Sequence, residues 1–170
     1  MMWQPKDLNY MLVETDWGCV GVSYSAAGLW ALALPAQDKG EVLAGLEARG
    51  SLSREEDYPG LRQRLEEYFS GQRVHFADFS IDWRGYTDFR KQVLQITATI
   101  PYGVVQSYKW LATAAGRPAA SRAVGGAMGS NRLPLIVPCH RVIRSDGNLG
   151  GFSSGLAMKV KLLQLEGITW

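Results

Sequence analysis

The sequence has few of the residues that bind metal ions or form crosslinks. Its 170 residues include two cysteines, Cys19 and Cys139, and two histidines, His75 and His140. A structural zinc ion usually has four such ligands at short spacings, and these residues are scattered, so we predict no metal site. Two distant cysteines also do not indicate a disulfide framework.

Long apolar segments are missing as well. No run reaches the roughly 18 residues that would suggest a transmembrane helix, so no membrane contact is expected. Residues 1–10 lack the basic start and apolar middle of a signal peptide. We therefore expect a cytoplasmic protein, or a nuclear one in a eukaryote.

Charge is distributed unevenly, although the formal net charge is only +2. Residues 1–85 contain 8 Lys or Arg and 13 Asp or Glu, which gives −5, whereas residues 86–170 contain 10 and 3, which gives +7. The stretch 101–145 has no acidic residue and six basic ones, Lys109, Arg117, Arg122, Arg132, Arg141 and Arg144. Such a half either carries scattered surface arginines or binds an anionic partner on one side.

The pattern along residues 1–80 predicts an N-terminal α/β lobe. Apolar or alternating segments at 11–13, 19–23 and 29–34 are separated by turn residues and indicate a small antiparallel sheet. The spacing of apolar residues over 59–69 predicts a helix. Residues 36–58 are polar, and a loop or a short helix is expected there.

Residues 81–170 predict a helical C-terminal lobe. Thr87 and Ser107 are suitable N-caps for helices over about 88–99 and 108–115, and a third helix is expected over about 119–129. A tight turn over 115–118 joins the last two, which is the arrangement of a helix-turn-helix. The predicted fold class is therefore α+β.

The third of these helices is unusually rich in small residues. It contains Gly125, Gly126 and Gly129, and a glycine in a helix interior costs about 1 kcal/mol relative to alanine. A helix this thin either packs closely against another helix or approaches a backbone such as that of DNA. Arg122 near its start favours DNA.

Cys139 lies between Pro138, which restricts the backbone, and His140. The thiolate is the reactive form of cysteine, and a nearby histidine and basic surroundings would lower the thiol pKa from about 8.5. Adjacent side chains rarely face each other, so His140 is expected to reach Cys139 through a water molecule. Glu166, the only acidic residue after Asp146, is available to orient the imidazole.

Four segments of the second half resemble the O6-alkylguanine-DNA alkyltransferases, also called methylated-DNA–protein-cysteine methyltransferases. They are IPYG at 100–103 with SY at 107–108, RAVGGAM at 122–128, PCHRV at 138–142 and GGFS at 150–153. Their order and spacing are similar to the family's over residues 100–167. The N-terminal lobe resembles the family only in its sheet-plus-helix plan, which is RNase H-like.

The resemblance implies DNA repair by direct reversal. Cys139 would accept an alkyl group from O6 of guanine, and O4-alkylthymine is left open as a second substrate. His140, Glu166 and a water would generate the thiolate, Tyr108 would assist the departing oxygen, and Asn131 would brace the active-site loop. Because the thioether is stable, each molecule would act once, without a cofactor. The other expected substrate-binding residues are Pro134, Val142, Phe152, Ser153 and Ser154.

The resemblance also implies binding to double-stranded DNA. The small-residue helix would enter the minor groove, the damaged base would be flipped out, and Arg122 would fill its place. Contacts would fall mainly on phosphates, so binding would be sensitive to salt. A monomer is expected in solution, and cooperative binding along DNA is left open. The expected DNA-binding residues are Ser121, Arg122, Ala123, Gly125, Gly126 and Ala127.

Three positions depart from the family pattern. Arg132 stands after Asn131 where proline is common, which would change the loop or add a phosphate contact. Phe152 replaces a common tyrosine, and Ser154 replaces a frequent glycine, which would narrow the pocket for bulky alkyl groups. The ligands of the zinc ion that some members hold in the N-terminal lobe are missing.

Three other functions fit part of the pattern. An alkyltransferase-like protein that binds lesions without repairing them would lack the acceptor cysteine, usually in favour of tryptophan, whereas Cys139 is present. A helix-turn-helix protein with Cys139 as a redox sensor leaves the other polar candidates unexplained. A cysteine hydrolase would need an oxyanion hole, which a sequence does not reveal.

Overall fold

The computed structural model describes residues 4–170; Met1 to Trp3, part of the segment weighed above as a signal peptide, lie outside it. The chain divides into two compact units after Gly85, whereas the sequence suggested a boundary after residue 80. Within the described residues, no helix has both the length and the apolar character needed to cross a membrane.

The first unit is a four-stranded sheet with two helices. Its elements are β1 (Leu8–Thr15), β2 (Gly18–Ser25), β3 (Gly28–Ala36), α1 (Lys39–Glu47), β4 (Leu52–Glu55) and α2 (Leu61–Phe69). The strand order is β3-β2-β1-β4, and β1 pairs antiparallel with β2, as β2 does with β3. The α+β class is confirmed, but the sheet is mixed, because β4 runs parallel to β1.

Close packing of α1 on the sheet depends on a glycine in β2. A Cβ atom at Gly21 would lie only 2.4 Å from the side chain of Val42 and 2.9 Å from that of Leu46, both on α1. Helix and strand can therefore approach more closely here than an alanine would allow. Leu46 is fully buried and packs with Leu8 and Trp30 in the core of this unit.

The second unit is helical and contains a short parallel strand pair. Its elements are α3 (Asp88–Thr97), β5 (Gln106–Ser107), α4 (Tyr108–Ala114), α5 (Ser121–Gly129), a 3₁₀ turn (Cys139–Arg141), β6 (Val142–Ile143) and α6 (Leu156–Leu165). Helices α3, α4 and α5 pack against one another. β5 pairs with β6, which joins the start of α4 to the segment after Cys139.

The predicted caps explain where two helices begin. The Thr87 hydroxyl accepts from the backbone N–H of Arg90 at the start of α3, and the Ser107 hydroxyl accepts from that of Trp110 at the start of α4. Each cap satisfies one of the backbone donors that a helix leaves unpaired at its first turn.

Candidate active site

A tight backbone turn fixes the position of Cys139. Pro138 has φ −78° and ψ 67°, and the N–H of Cys139 donates to the carbonyl oxygen of Val137 at 2.7 Å. These are the features of an inverse γ-turn, which suits the restricted φ of proline. The turn leads directly into the 3₁₀ turn Cys139–Arg141, and Cys139 itself is 8% exposed.

Asn131 holds the segment that precedes the cysteine. Its buried side-chain amide donates to the carbonyl oxygen of Val137 at 2.9 Å, and its side-chain oxygen accepts from the N–H of Leu133 at 3.0 Å. Leu135, between these contacts, has φ 78°, a conformation that is strained for a branched side chain. The segment is thus fixed by specific contacts of the Asn131 side chain.

A buried carboxylate lies behind the cysteine. Oε1 of Glu166 is 2.7 Å from Nε2 of His140, and both side chains are inaccessible to solvent. Arg141 donates to both carboxylate oxygens, from Nε at 2.9 Å and from a terminal nitrogen at 2.8 Å. The backbone N–H of Gly103 adds a further donor at 3.1 Å.

The protonation states follow from these contacts. Burial strongly opposes ionisation of Glu166, but hydrogen bonds from His140 and Arg141 outweigh it and hold the pKa of the carboxyl well below its usual range. Burial lowers the pKa of His140, against the opposing effect of Glu166. A neutral imidazole that donates from Nε2 to the carboxylate has Nδ1 as its acceptor. Nδ1 is buried and has no hydrogen-bond partner among the described residues.

The resting cysteine is a thiol, which corrects one sequence-based expectation. Burial raises the pKa of Cys139, although Asn131, Lys159 and the backbone N–H groups of Cys139 and His140 act in the opposite direction. The sequence shows basic residues near Cys139, but it does not show that the sulfur is removed from water, and that effect is the larger one. The nucleophile therefore needs a base to activate it.

Cys139 borders a small cavity. The cavity has a volume of about 70 Å³ and is lined by Tyr108, Gly125, Met128, Gly129, Cys139, Gly151, Phe152 and Ser153. The Tyr108 ring can lie close to the backbone at Gly150 because glycine has no side chain. A Cβ atom there would lie only 2.8 Å from the ring. Oη of Tyr108 is 3.5 Å from the carbonyl oxygen of Gly151, and burial raises the pKa of the phenol, so it remains a donor.

A buried lysine holds the loop on one side of this cavity. Nζ of Lys159 donates to the carbonyl oxygens of Val142 at 2.7 Å, Leu149 at 2.6 Å and Gly151 at 3.2 Å. The side chain is 0% exposed. Lys159 was not among the predicted site residues, because nothing in its local sequence pattern distinguishes it from a surface lysine.

A wider groove adjoins the cavity. It has a volume of about 700 Å³, and its lining includes Lys109, Ser121, Arg122 and Arg144. Tyr108, Gly125 and Gly151 line both the groove and the cavity. A path bordered by basic side chains therefore leads towards Cys139 within this unit.

The glycines of α5 face open space. Cβ atoms built at Gly125, Gly126 and Gly129 would meet no atom within 4 Å outside the helix's own backbone and the chain neighbours. These residues and Arg122 are spaced by three or four positions, so they share one face of the helix. Close packing against another helix, the alternative considered for this sequence, does not explain them.

Several predicted residues occupy other places. Ala127 is 0% exposed and packs in the core, so its predicted contact with DNA is wrong. Pro134, Val142 and Ser154 are absent from the lining of the cavity beside Cys139. The backbone carbonyl oxygen of Val142 accepts a hydrogen bond from Lys159. Arg141, counted as surface charge, is 6% exposed and bound to Glu166, because its guanidinium is needed there as a counter-ion.

No metal site accompanies this arrangement in the described part of the chain. Between residues 4 and 170, no three His, Cys, Asp or Glu side chains are grouped so that they could hold an ion.

Cys139 is buried and is backed by a histidine and a carboxylate. The groove beside it is bordered by a helix-turn-helix. These features are typical of a nucleic-acid-binding protein that uses a cysteine as its nucleophile. Residues 88–168 match the family model described as 6-O-methylguanine DNA methyltransferase, DNA binding domain. The chain belongs to the O6-methylguanine-DNA methyltransferase family, since it is 33% identical to a solved O6-methylguanine methyltransferase and covers 92% of that protein.

Curated relatives match a little more than three fifths of the chain. A methylated-DNA–protein-cysteine methyltransferase of Methanosarcina barkeri is 48% identical over 104 residues, which cover 61% of this chain and 65% of that protein. A protein of the same name from Mycobacterium bovis is 45% identical over 109 residues, which cover 64% and 65%. The chain thus spans slightly less than two thirds of the length of these relatives.

Solved structures match nearly the whole chain. The O6-methylguanine methyltransferase of Mycobacterium tuberculosis has a TM-score of 0.75 and 33% identity, covering 94% of this chain and 92% of that one. A Mycobacterium tuberculosis OGT in complex with DNA has a TM-score of 0.76 and 34% identity, covering 93% and 92%.

Proposed function

We propose that this protein repairs O6-alkylguanine in double-stranded DNA by transferring the alkyl group to its own Cys139. The single observation that carries the proposal is the placement of Cys139 between the buried His140–Glu166 pair and a cavity that adjoins a basic groove. The names of the relatives, and the DNA-bound relative in particular, support the same reaction.

Activation of the sulfur begins at His140. Its neutral imidazole has Nδ1 available as a base, while Glu166 holds Nε2–H and stabilises the imidazolium that forms. We place a water molecule between Nδ1 and Sγ as the path of the proton. A thiolate formed from a thiol of raised pKa is a strong nucleophile, since intrinsic nucleophilicity rises with pKa.

The transfer itself is a displacement at the alkyl carbon. A C–S bond forms to Cys139 as the C–O bond to guanine breaks, the electron pair remains on the guanine, and the guanine takes up a proton equivalent to the one that His140 removed from the thiol. Tyr108 donates a hydrogen bond to this developing charge, and Ser153 also lines the cavity. No electrons are gained or lost overall, so the reaction needs no redox cofactor. The thioether is stable, and each molecule acts once.

The target base must leave the duplex to reach the cavity, at a cost of a few kcal/mol. A ligand pocket usually has a volume of about 300–1,000 Å³, so the cavity beside Cys139 must enlarge when a base enters. The exposed Arg122 at the start of α5 takes the place of the flipped base in the stack.

Helix α5 is proposed to lie in the minor groove. On the open face formed by Gly125, Gly126 and Gly129, no side chain separates the helix from an approaching DNA backbone. Ser121 and Ala123 are exposed beside this face. Lys109, Arg122 and Arg144 supply positive charge along the groove, so affinity should fall as salt rises. We further propose that the protein is a monomer and acts in the cytoplasm, or in the nucleus of a eukaryote.

Intact-mass measurement after incubation with a duplex that contains one O6-methylguanine tests the proposal. We expect a gain of one methyl group, mapped to Cys139, and at most one gain per molecule. Cys139→Ala should show no gain, whereas Cys19→Ala, which changes the buried strand cysteine, should react like the wild type. Tight binding of the lesion without a mass gain would support a lesion-binding protein instead. If the protein neither gains mass nor binds the lesion, both proposals are overturned.

A further inference from the structure

One tyrosine hydroxyl contacts both residues that flank Asn131. Oη of Tyr86 donates to the carbonyl oxygen of Ser130 at 3.2 Å and accepts from the backbone N–H of Arg132 at 2.9 Å. Tyr86 precedes α3 and is distant in sequence from the active-site segment. The hydroxyl therefore closes the turn on which the Asn131 side chain is mounted.

Arg132 adds a second contact to the same tyrosine. Its guanidinium carbon lies 4.0 Å from the centre of the Tyr86 ring, within the range of a cation–π interaction. A proline at position 132 would have no backbone N–H and could not form the bond to Tyr86, and the fixed φ of its ring would restrain the turn instead.

We infer that Tyr86 is a positioning residue for the nucleophile, because its hydroxyl restrains the turn that carries Asn131. The influence passes through Asn131, whose side chain bonds the carbonyl oxygen of Val137, the acceptor of the turn that sets Cys139. The part of this inference that concerns alkyl transfer rests on the proposed function.

The contacts indicate why the tyrosine hydroxyl should affect chemistry rather than stability alone. The Asn131 side chain lowers the pKa of Cys139, against the larger effect of burial, so its placement influences how easily the thiolate forms. A turn that is less restrained would let the Asn131 side chain move away from the carbonyl oxygen of Val137 and the N–H of Leu133. The thiolate would then form at higher pH, and transfer would be slower.

Tyr86→Phe tests this inference, since it removes the hydroxyl and retains the ring under Arg132. The first readout is the pH profile of Cys139 alkylation by iodoacetamide, followed by peptide mass, which does not depend on alkyl transfer from DNA. The second is the single-turnover rate on an O6-methylguanine duplex. We expect the profile to shift to higher pH and the rate to fall roughly three- to tenfold, as for loss of a neutral hydrogen bond.

Two comparisons separate positioning from general loosening. Tyr24→Phe removes a tyrosine hydroxyl that donates to the carbonyl oxygen of Glu56 in the first unit, and it should leave both readouts unchanged. In an Arg132→Pro background, which lacks the N–H, the added effect of Tyr86→Phe on the rate should shrink. Affinity of Tyr86→Phe for an undamaged duplex should match that of the wild type.

Three outcomes would overturn the inference: an unchanged iodoacetamide profile and rate, an equal effect of Tyr86→Phe with or without Arg132→Pro, or a loss of duplex affinity as large as the loss of rate. A wild-type protein that does not transfer methyl would refute the proposed function, while the iodoacetamide profile would still decide the role of Tyr86.

Discussion

Nζ of Lys159 donates to the carbonyl oxygen of Val142 at 2.7 Å, in a place where the lysine is fully buried. The same ammonium donates to the carbonyl oxygens of Leu149 and Gly151, so one side chain on α6 joins β6 to the loop that borders the Cys139 cavity. Isolated buried charges are costly, and this one is retained because three carbonyl oxygens receive its donors. The loop conformation therefore depends on the Lys159 ammonium, and the buried ammonium depends on the carbonyl oxygens of the loop.

Lys159→Met should loosen this loop. Methionine fills similar space but leaves three carbonyl oxygens without their donor, and an unsatisfied buried polar group costs about 1–3 kcal/mol. We expect a lower free energy of unfolding in urea and slower methyl transfer. Lys161→Met, a change at an exposed position of the same helix, should alter stability by no more than about 0.5 kcal/mol. Equal stability and rate in wild type and Lys159→Met would contradict the assigned role.

The same lysine predicts a pH dependence of stability. Burial lowers the pKa of Lys159 to about 8, from a usual value of 10.5. Between these values the unfolded chain binds more protons than the folded one, so the free energy of unfolding rises with pH. The gain is absent below about pH 8 and complete above pH 10.5, and it amounts to on the order of 3 kcal/mol.

Urea unfolding of wild type and Lys159→Met, both in a Cys139→Ala background that removes the neighbouring thiol, isolates this contribution at several pH values, since groups that do not interact with Lys159 cancel in the difference. The stability of the wild type relative to Lys159→Met should increase from pH 7.5 to pH 10. A difference that stays constant, or that decreases, would show that Lys159 keeps an ordinary pKa in the folded protein.

Much of the fold was predictable because its signals are local. Thr87 and Ser107 begin helices where hydroxyl caps are expected, and the strands of the first unit follow apolar segments, although each strand is longer than predicted. β4 was missed because Leu52 is its only apolar residue. Its strand conformation depends on pairing with β1, which is a contact distant in sequence.

The chemistry of the site was less predictable, because burial depends on the whole unit. Arg141 and Lys159 have the local appearance of surface cations, yet one neutralises Glu166 and the other holds the pocket loop. The raised pKa of Cys139 has the same origin, since removal from water is invisible in the residues beside it. Residue types and their order indicated the candidate nucleophile, whereas protonation states required the packed structure.

The ion pair between Arg141 and Glu166 should affect stability and catalysis separately. Glu166→Gln leaves a buried guanidinium without its counter-ion, and breaking such a pair costs about 3–5 kcal/mol. Adding Arg141→Met should recover part of that loss, because both charges are then removed. Methyl transfer should remain impaired in the double variant, since His140 still lacks the carboxylate that stabilises its protonated form.

A double-mutant cycle measures this coupling, with urea unfolding for stability and single-turnover transfer for activity. Additive losses of stability would show that the two side chains do not interact strongly in solution. Recovery of transfer together with stability would show that Glu166 serves only to balance Arg141, and would remove it from the proposed proton path.

Gly126→Ala should raise the stability of the protein and lower its affinity for DNA. Gly126 is an exposed interior residue of α5, and a Cβ atom there would meet no neighbouring atom, so alanine should stabilise the helix by about 0.5–1 kcal/mol. The added methyl group would, however, protrude from the face proposed to enter the minor groove. Thermal unfolding and duplex affinity at fixed salt are the two measurements.

Gly45→Ala is the matched control for this prediction. Gly45 is also an exposed helical glycine, in α1, and its Cβ would make only an ordinary contact at 3.6 Å with Ala33. It should raise stability to a similar extent without lowering duplex affinity. If Gly126→Ala binds the duplex as tightly as Gly45→Ala, the open face of α5 does not approach DNA, and the glycines of that helix need another explanation.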